Sequence, residues 1–164
     1  MMLTRKNDVP ISLDAAVLRQ QSKDNPVFYV NYALARINST FGKVPEVMGQ
    51  DFHARYQASV RDEIDLSALN GEAEINLIRT LVLWPTTLET AANNCEPHRI
   101  AYYLIELASG FHSLWSAGKG DEQMRFLLTN EPEVTTARLA LLEACAKVLN
   151  SGFDVMGVTA QESM

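Results

Sequence analysis

Two tyrosines and two cations share one face of a predicted helix in the first third of the chain. With successive residues about 100° apart, Tyr29, Tyr32, Arg36 and Lys43 lie opposite an apolar stripe. Rings that face away from a core can stack on nucleobases, and cations beside them can neutralise phosphates. The same side chains could instead pack against a neighbouring helix or be solvated, and the pattern alone slightly favours that second interpretation.

A later predicted helix, over residues 97–118, carries a second pair of aromatic candidates. Its spacing places Phe111 within the apolar stripe and Trp115 at the edge of that stripe. A tryptophan at the edge of a helix can pack inward or present its face to a ligand, and spacing does not choose between them. The predicted core face of this helix consists of Ile100, Leu104, Leu107, Phe111 and Leu114.

Motifs for other chemistries are absent from the sequence. His53, His98 and His112 have neither HExxH nor CxxC spacing around them, which argues against a zinc site. There is no GxGxxG loop, no complete phosphate-binding GxxxxGKS or GxxxxGKT loop, and no GxSxG elbow. A small helical enzyme with its own active site is therefore not expected.

The elements that position these residues are predicted to be helical throughout, so the fold class is all-α. Strand-like alternation is missing and no Asp-Gly occurs, and the Asn70-Gly71 pair is not flanked by strand-like segments as a hairpin turn would be, whereas helical periodicity dominates. Asn25 and Pro26 mark the start of the first long helix, which is predicted to end near Gly42. Shorter helices are predicted over residues 12–21 and 45–58.

Proline and glycine divide the rest of the chain. Residues 61–74 are predicted to be a loop, and Pro85 should kink or split the apolar helix over 74–94 just before the proline. A connection over 119–133, with one short turn, leads to a last long helix that begins near Thr135 or Thr136. Gly152 is expected just past its end, followed by a mostly irregular tail.

Composition and charge describe one folded domain. The 164 residues are 47% hydrophobic and 21% charged, with a net charge of −6. Residues 1–61 carry eight Lys and Arg against five Asp and Glu, whereas the remainder carries six against fifteen. An acidic chain is a poor indiscriminate binder of polyanions, so any nucleic-acid contact should be local and should use the first third.

Cysteine usage and hydropathy indicate a compartment. Cys95 and Cys145 lie too far apart in sequence for a metal knuckle and are too few for a disulfide framework, which is typical of reducing cytoplasm. No run approaches the roughly 18 apolar residues of a membrane span, and the first residues lack the apolar stretch of a signal peptide. The protein is expected to be cytoplasmic.

Three blocks of sequence resemble a known family. DNPVFYVNYALARI, EPHRIAYYLIELASGFHSLW and TTARLALLEACAKVLNSGFDVMGVTAQESM, in this order and spacing, are similar to the C-terminal anticodon-binding domain, called DALR, of bacterial-type arginyl-tRNA synthetases. The resemblance implies a helical bundle of the class I synthetase anticodon-binding type over residues 1–164. Residues 1–24 would form a connecting segment and a helix on the side of the catalytic domain.

The resemblance also implies what the chain does. A complete enzyme of this family joins arginine to tRNA(Arg) with ATP in a Rossmann-type catalytic domain, whose HIGH and KMSKS signatures this sequence lacks. The chain is therefore expected to bind the anticodon loop and to contact the catalytic domain, without catalysis of its own and without cofactor, metal or membrane. The alternative is a free-standing helical protein-interaction module that has no RNA partner.

The resemblance implies which residues contact the anticodon loop. The family's aromatic pairs match Tyr29 with Tyr32 and Phe111 with Trp115, and its terminal methionine matches Met164. For Phe111 the resemblance and the helical spacing disagree. Phosphate contacts are expected from a few cations, namely Arg36, Lys43 or Arg99. The chain departs from the family where Leu34 replaces a common histidine and where QESM replaces a terminal PERM.

Overall fold

The computed structural model describes residues 25–59 and 64–160, and all regular structure in these ranges is helical. Because no strand occurs within either range, the all-α prediction is confirmed. The helix predicted over 12–21, the connecting segment 1–24 and Met164 lie outside the described residues. The elements are α1 (Pro26–Val47), α2 (Gln50–Ser59), α3 (Glu72–Val82), α4 (Trp84–Asn93), α5 (His98–Gly120), a 3-10 turn (Glu122–Met124) and α6 (Pro132–Met156).

Helix α1 begins where the sequence predicts but ends later. The Asn25 side chain accepts hydrogen bonds from the backbone N–H groups of Val27 and Phe28, at 3.2 and 3.3 Å, which confirms the predicted cap. The predicted end near Gly42 is wrong, because α1 continues through Pro45 to Val47. Burial of Val44 in the core holds this last turn in place despite the proline. The helix predicted over 45–58 is consequently divided between α1 and α2.

Proline does interrupt the next apolar segment. Helix α3 ends at Val82 and α4 begins at Trp84, with Pro85 in the first turn of α4. A proline there needs no intrahelical partner, because the first N–H groups of a helix are unpaired in any case. The predicted split at Pro85 is confirmed.

The end of α6 differs from the prediction. Gly152 lies inside the helix rather than after it, and α6 ends at Met156, before Gly157 with its φ of +65°. A Cβ at position 152 would approach Leu104 of α5 to 2.5 Å. The glycine therefore permits close helix packing and does not terminate the helix.

Helix α5 is the centre of the bundle and packs against α1, α3, α4 and α6. All five residues of its predicted apolar stripe are buried, which confirms that prediction. On α1 the predicted apolar stripe opposite the tyrosines consists of Val27, Val30, Leu34, Ile37 and Phe41. Val30, Leu34 and Ile37 are buried and Phe41 is half-buried, whereas Val27, in the first turn, is exposed. None of the described helices combines the length and the apolar character that crossing a bilayer needs.

A buried ion pair joins three separate parts of the chain. Arg138 of α6 donates from Nε to Glu74 at 2.7 Å, and the other carboxylate oxygen of Glu74 accepts the N–H of Gly71 at 3.0 Å. Arg138 Nη1 also donates to the backbone carbonyls of Gln123 and Arg125, at 2.7 and 2.6 Å. These bonds hold the segment after α5 against the bundle, as a buried charge requires several partners.

Candidate nucleic-acid interface

Three side chains form a stacked cluster at the surface where α1 and α5 meet. The guanidinium carbon of Arg36 lies 4.1 Å from the ring centre of Tyr32 and 5.0 Å from that of Trp115. Arg36 Nη2 also donates to the Tyr32 hydroxyl at 2.6 Å. We call Tyr32, Arg36 and Trp115 the aromatic–arginine cluster. Tyr32 is 37% exposed and Trp115 is half-buried, so rings and charge are both accessible to a ligand.

His112 supports this cluster from the protein side. Its Nε2 lies 3.3 Å from the backbone oxygen of Tyr29, and its Nδ1 lies 3.4 Å from Nη1 of Arg36. A carbonyl only accepts and a guanidinium only donates, so a neutral imidazole with its proton on Nε2 satisfies both contacts. Burial lowers the pKa of His112, and the charge of Arg36 lowers it as well, while the bond to the Tyr29 carbonyl opposes them.

The sequence did not lead us to predict a role for His112 at this surface, because the histidines were compared only with zinc-binding motifs. A usable signal was present: His112 stands three residues before Trp115, and such residues are neighbours on a helix surface. Within the part of the chain that the structure describes, no group of three or more His, Cys, Asp and Glu side chains is placed to hold a metal ion.

The first tyrosine of the predicted pair is less accessible than its helical spacing suggested. Tyr29 is half-buried, and its ring packs on His112 with ring centres 4.6 Å apart. Only Tyr32 of this pair belongs to the aromatic–arginine cluster, and its ring lies 5.6 Å from His112. Whether Tyr29 contacts RNA stays a prediction.

Phe111 requires a correction. Its side chain is 0% exposed and stacks on the buried Phe126, with ring centres 6.1 Å apart and planes at 10°. A side chain with no exposed surface does not contact a loop directly, so the assignment drawn from the resemblance is wrong for this residue. Phe111 instead supports Trp115 from beneath, at a ring distance of 5.9 Å.

The predicted cations are distributed unequally. Lys43 lines a groove beside Trp115, together with Lys119 and Arg125. The groove has a volume of about 420 Å³. We call it the basic groove. Arg99, in contrast, stands at the other end of α5, sixteen residues before Trp115, and forms an ion pair with Glu96. The structure does not bring Arg99 to the aromatic–arginine cluster.

Comparison with known proteins identifies relatives along the whole chain. Residues 30–164 match the family model described as the DALR anticodon binding domain. Over 164 residues the chain is 47% identical to the arginine–tRNA ligase of Rickettsia canadensis (strain McKiel) and 46% identical to that of Rickettsia akari (strain Hartford). The chain covers 28% of the length of each of these curated relatives.

A solved structure agrees with these relatives. The crystal structure of an arginyl tRNA synthetase from Campylobacter jejuni matches 99% of this chain with a TM-score of 0.75 and 28% sequence identity. The match covers 32% of that larger chain. The architecture and the sequence thus lead to the same group of proteins. This chain belongs to the DALR anticodon-binding domain family, and the relatives that it matches are arginine–tRNA ligases.

Proposed function

We propose that this chain binds the anticodon loop of tRNA(Arg) as the tRNA-reading part of an arginine–tRNA ligase. The observation that carries the proposal is the aromatic–arginine cluster, which leaves two rings and a guanidinium accessible on a domain of an anticodon-binding family. The complete ligase would attach arginine to its tRNA with ATP, which a catalytic domain outside this sequence would bind. That domain is the proposed second partner, and the cytoplasm is the proposed compartment.

The anticodon of tRNA(Arg) determines which base the domain must recognise. Every arginine codon has G in its middle position, so every arginine anticodon has a central C. A domain that turns this base out of the loop stack exposes its Watson–Crick edge, and an aromatic ring can replace the lost stacking. Tyr32 and Trp115 are the rings that can take this part.

Arg36 supplies hydrogen-bond donors that suit cytosine. Its guanidinium carries five N–H donors, of which Tyr32 and His112 engage two. The Watson–Crick edge of cytosine presents two acceptors, O2 and N3, beside one amino donor. A planar group that only donates would therefore favour this edge over that of uracil, whose N3 carries a proton.

The experiment compares ring variants with a matched control. Tyr32→Ala and Trp115→Ala should each weaken binding of a labelled arginine anticodon stem–loop by about 5- to 150-fold, because one base–aromatic stack contributes roughly 1–3 kcal/mol. Fluorescence anisotropy measures the affinity, and far-UV circular dichroism reports the helical content. Tyr102→Ala is the control, since Tyr102 is an exposed tyrosine of α5 outside the cluster.

The stem–loop with a changed central base completes the design. The parent chain should prefer the central C, and both ring variants should lose that preference together with affinity. Equal affinity of the parent and both ring variants would refute the stacking proposal. Association with a protein, unaffected by salt and without any RNA binding, would favour the alternative of a protein-interaction module.

A further inference from the structure

Beside the aromatic–arginine cluster, the basic groove provides a second surface of distinct chemistry. We infer that this groove binds the phosphates of the RNA strand that flanks the base held by the cluster, an inference that rests on the proposed function. Its lining combines three cations with an aromatic floor, and the residues that matter are Lys43, Trp115, Lys119, Arg125 and Phe126.

Positive charge is concentrated in this groove although the chain is acidic. Among the described residues, Lys43 and Lys119 take part in no ion pair, and Arg125 pairs only with the exposed Glu122 at 2.9 Å. Three other described cations are compensated, Arg99 by Glu96, Lys147 by Glu143 and Arg138 by Glu74, whereas Arg55 and Arg79 form no ion pair but lie outside the groove. A polyanion would therefore meet three cations close together here, two of them without an ion pair, despite the net charge of −6.

Continuity with the cluster identifies the polyanion as RNA. Trp115 lines the groove and also lies 5.0 Å from the guanidinium of Arg36, so one ring belongs to both surfaces. A strand with one base against the cluster would continue into the groove without leaving the protein. Single-stranded nucleic acid is held by this combination of stacking rings and a positively charged channel, whereas an acidic peptide has no need of the rings.

Contacts within the domain hold the two walls of the groove together. Arg138 donates to the backbone carbonyls of Gln123 and Arg125, which fixes the segment that carries Arg125 and Phe126. At Gly118, on the facing helix, a Cβ would lie 3.0 Å from the backbone oxygen of Met124. Close backbone packing therefore sets the distance between the walls, and little ordering remains to oppose binding.

The salt dependence of binding tests the groove separately from the cluster. In the full 164-residue chain, Lys43→Gln together with Lys119→Gln should lower the slope of log affinity against log salt by about 1.4, because each single-strand phosphate contact contributes about 0.7. At about 0.1 M salt the affinity for the arginine anticodon stem–loop should fall on the order of tenfold. Preference for the central C should remain, since the cluster is intact.

Two further variants test whether the change in slope depends on the groove or only on the net charge. Arg125→Gln alone should lower the slope by about half as much as the double variant. Lys147→Gln with Arg79→Gln removes the same charge from α6 and α3, outside the groove, and should leave the slope unchanged. If both double variants lower the slope equally, only net charge matters and the groove inference is wrong.

The remaining outcomes separate the groove from the proposed function. If the parent prefers the central C but the Lys43 and Lys119 variant keeps its slope, the groove inference fails and the proposed function stands. If the parent binds no RNA, both fail. If polyglutamate displaces the stem–loop as effectively as unlabelled RNA does, the assignment of the groove to RNA is overturned.

Discussion

At the scale of single residues, the orientation of Arg36 depends on three neighbours. Tyr32 and Trp115 offer the faces of their rings, each worth about 0.5–1 kcal/mol to a cation at an exposed site. His112 accepts a hydrogen bond from Arg36 at Nδ1, which is possible only for the neutral imidazole. A protonated His112 would instead place a donor and a positive charge against the guanidinium. His112 is therefore a positioning residue for Arg36.

His112 predicts a pH dependence of stability. The pKa of His112 in the folded chain lies below the 6.5 of an exposed histidine. Between the folded-state and the unfolded-state pKa, the unfolded chain therefore binds more protons than the folded chain does. The free energy of unfolding should therefore decrease as the pH falls below about 6.5. Urea unfolding at pH 7.5 and pH 5.5 measures this change, and His112→Asn should show a smaller one. Identical pH dependence in the two proteins would contradict the predicted contribution.

At the scale of elements, α5 organises the interface because it carries both Trp115 and His112. Its position is set on one side by α1, which brings Tyr32 and Arg36, and on another by the close contact of Leu104 with Gly152 of α6. The contact is possible because glycine has no Cβ. A small displacement of α5 would move Trp115 relative to Arg36.

Two glycines at helical positions predict opposite effects of the same substitution. Gly152→Ala should lower the free energy of unfolding by about 1–3 kcal/mol, because the new Cβ would overlap Leu104. Gly42→Ala should raise it by about 0.5–1 kcal/mol, because Gly42 is an exposed position inside α1 with open space around it. Urea titrations compare both variants with the parent. A stabilised Gly152→Ala variant would show that the two helices separate at little cost.

At the scale of the whole molecule, the ion pair of Arg138 and Glu74 links the core to the interface. It joins the start of α3, the segment after α5 and the buried face of α6 through side-chain and backbone bonds. Its net contribution to stability is a balance between attraction and desolvation. Loss of one partner is costly in any case, because the other charge is then left buried and alone.

Arg138→Met should consequently lower the free energy of unfolding by about 3–5 kcal/mol, a large part of the total for a domain of this size. Adding Glu74→Gln removes the orphaned charge and should restore part of that loss, although Glu74→Gln by itself should destabilise the parent. Chemical denaturation of the three variants forms a double-mutant cycle. A double variant less stable than Arg138→Met would show that Glu74 stabilises the fold independently of Arg138.

Local patterns in the sequence determined much of this fold. The start of α1 at Asn25, the break at Pro85 and the buried stripe of α5 could all be predicted, since caps, proline and periodicity act within a few residues of one helix. The family resemblance and the candidates Tyr32, Arg36 and Trp115 could also be identified from the sequence. Glycine was the weakest signal, because Gly42 and Gly152 suit a helix end or a helix interior according to what packs beside them.

Other features were decided only by tertiary structure. Both Phe111 and Trp115 pack against Phe126, but Phe111 is fully buried, whereas Trp115 also contacts Arg36 at the surface and remains half-buried. His112 meets Arg36 across 76 positions of sequence, and the basic groove takes its cations from α1, α5 and the segment after the 3-10 turn. Such neighbours are set by how helices pack, which depends on contacts between distant parts of the chain and which helical periodicity does not encode.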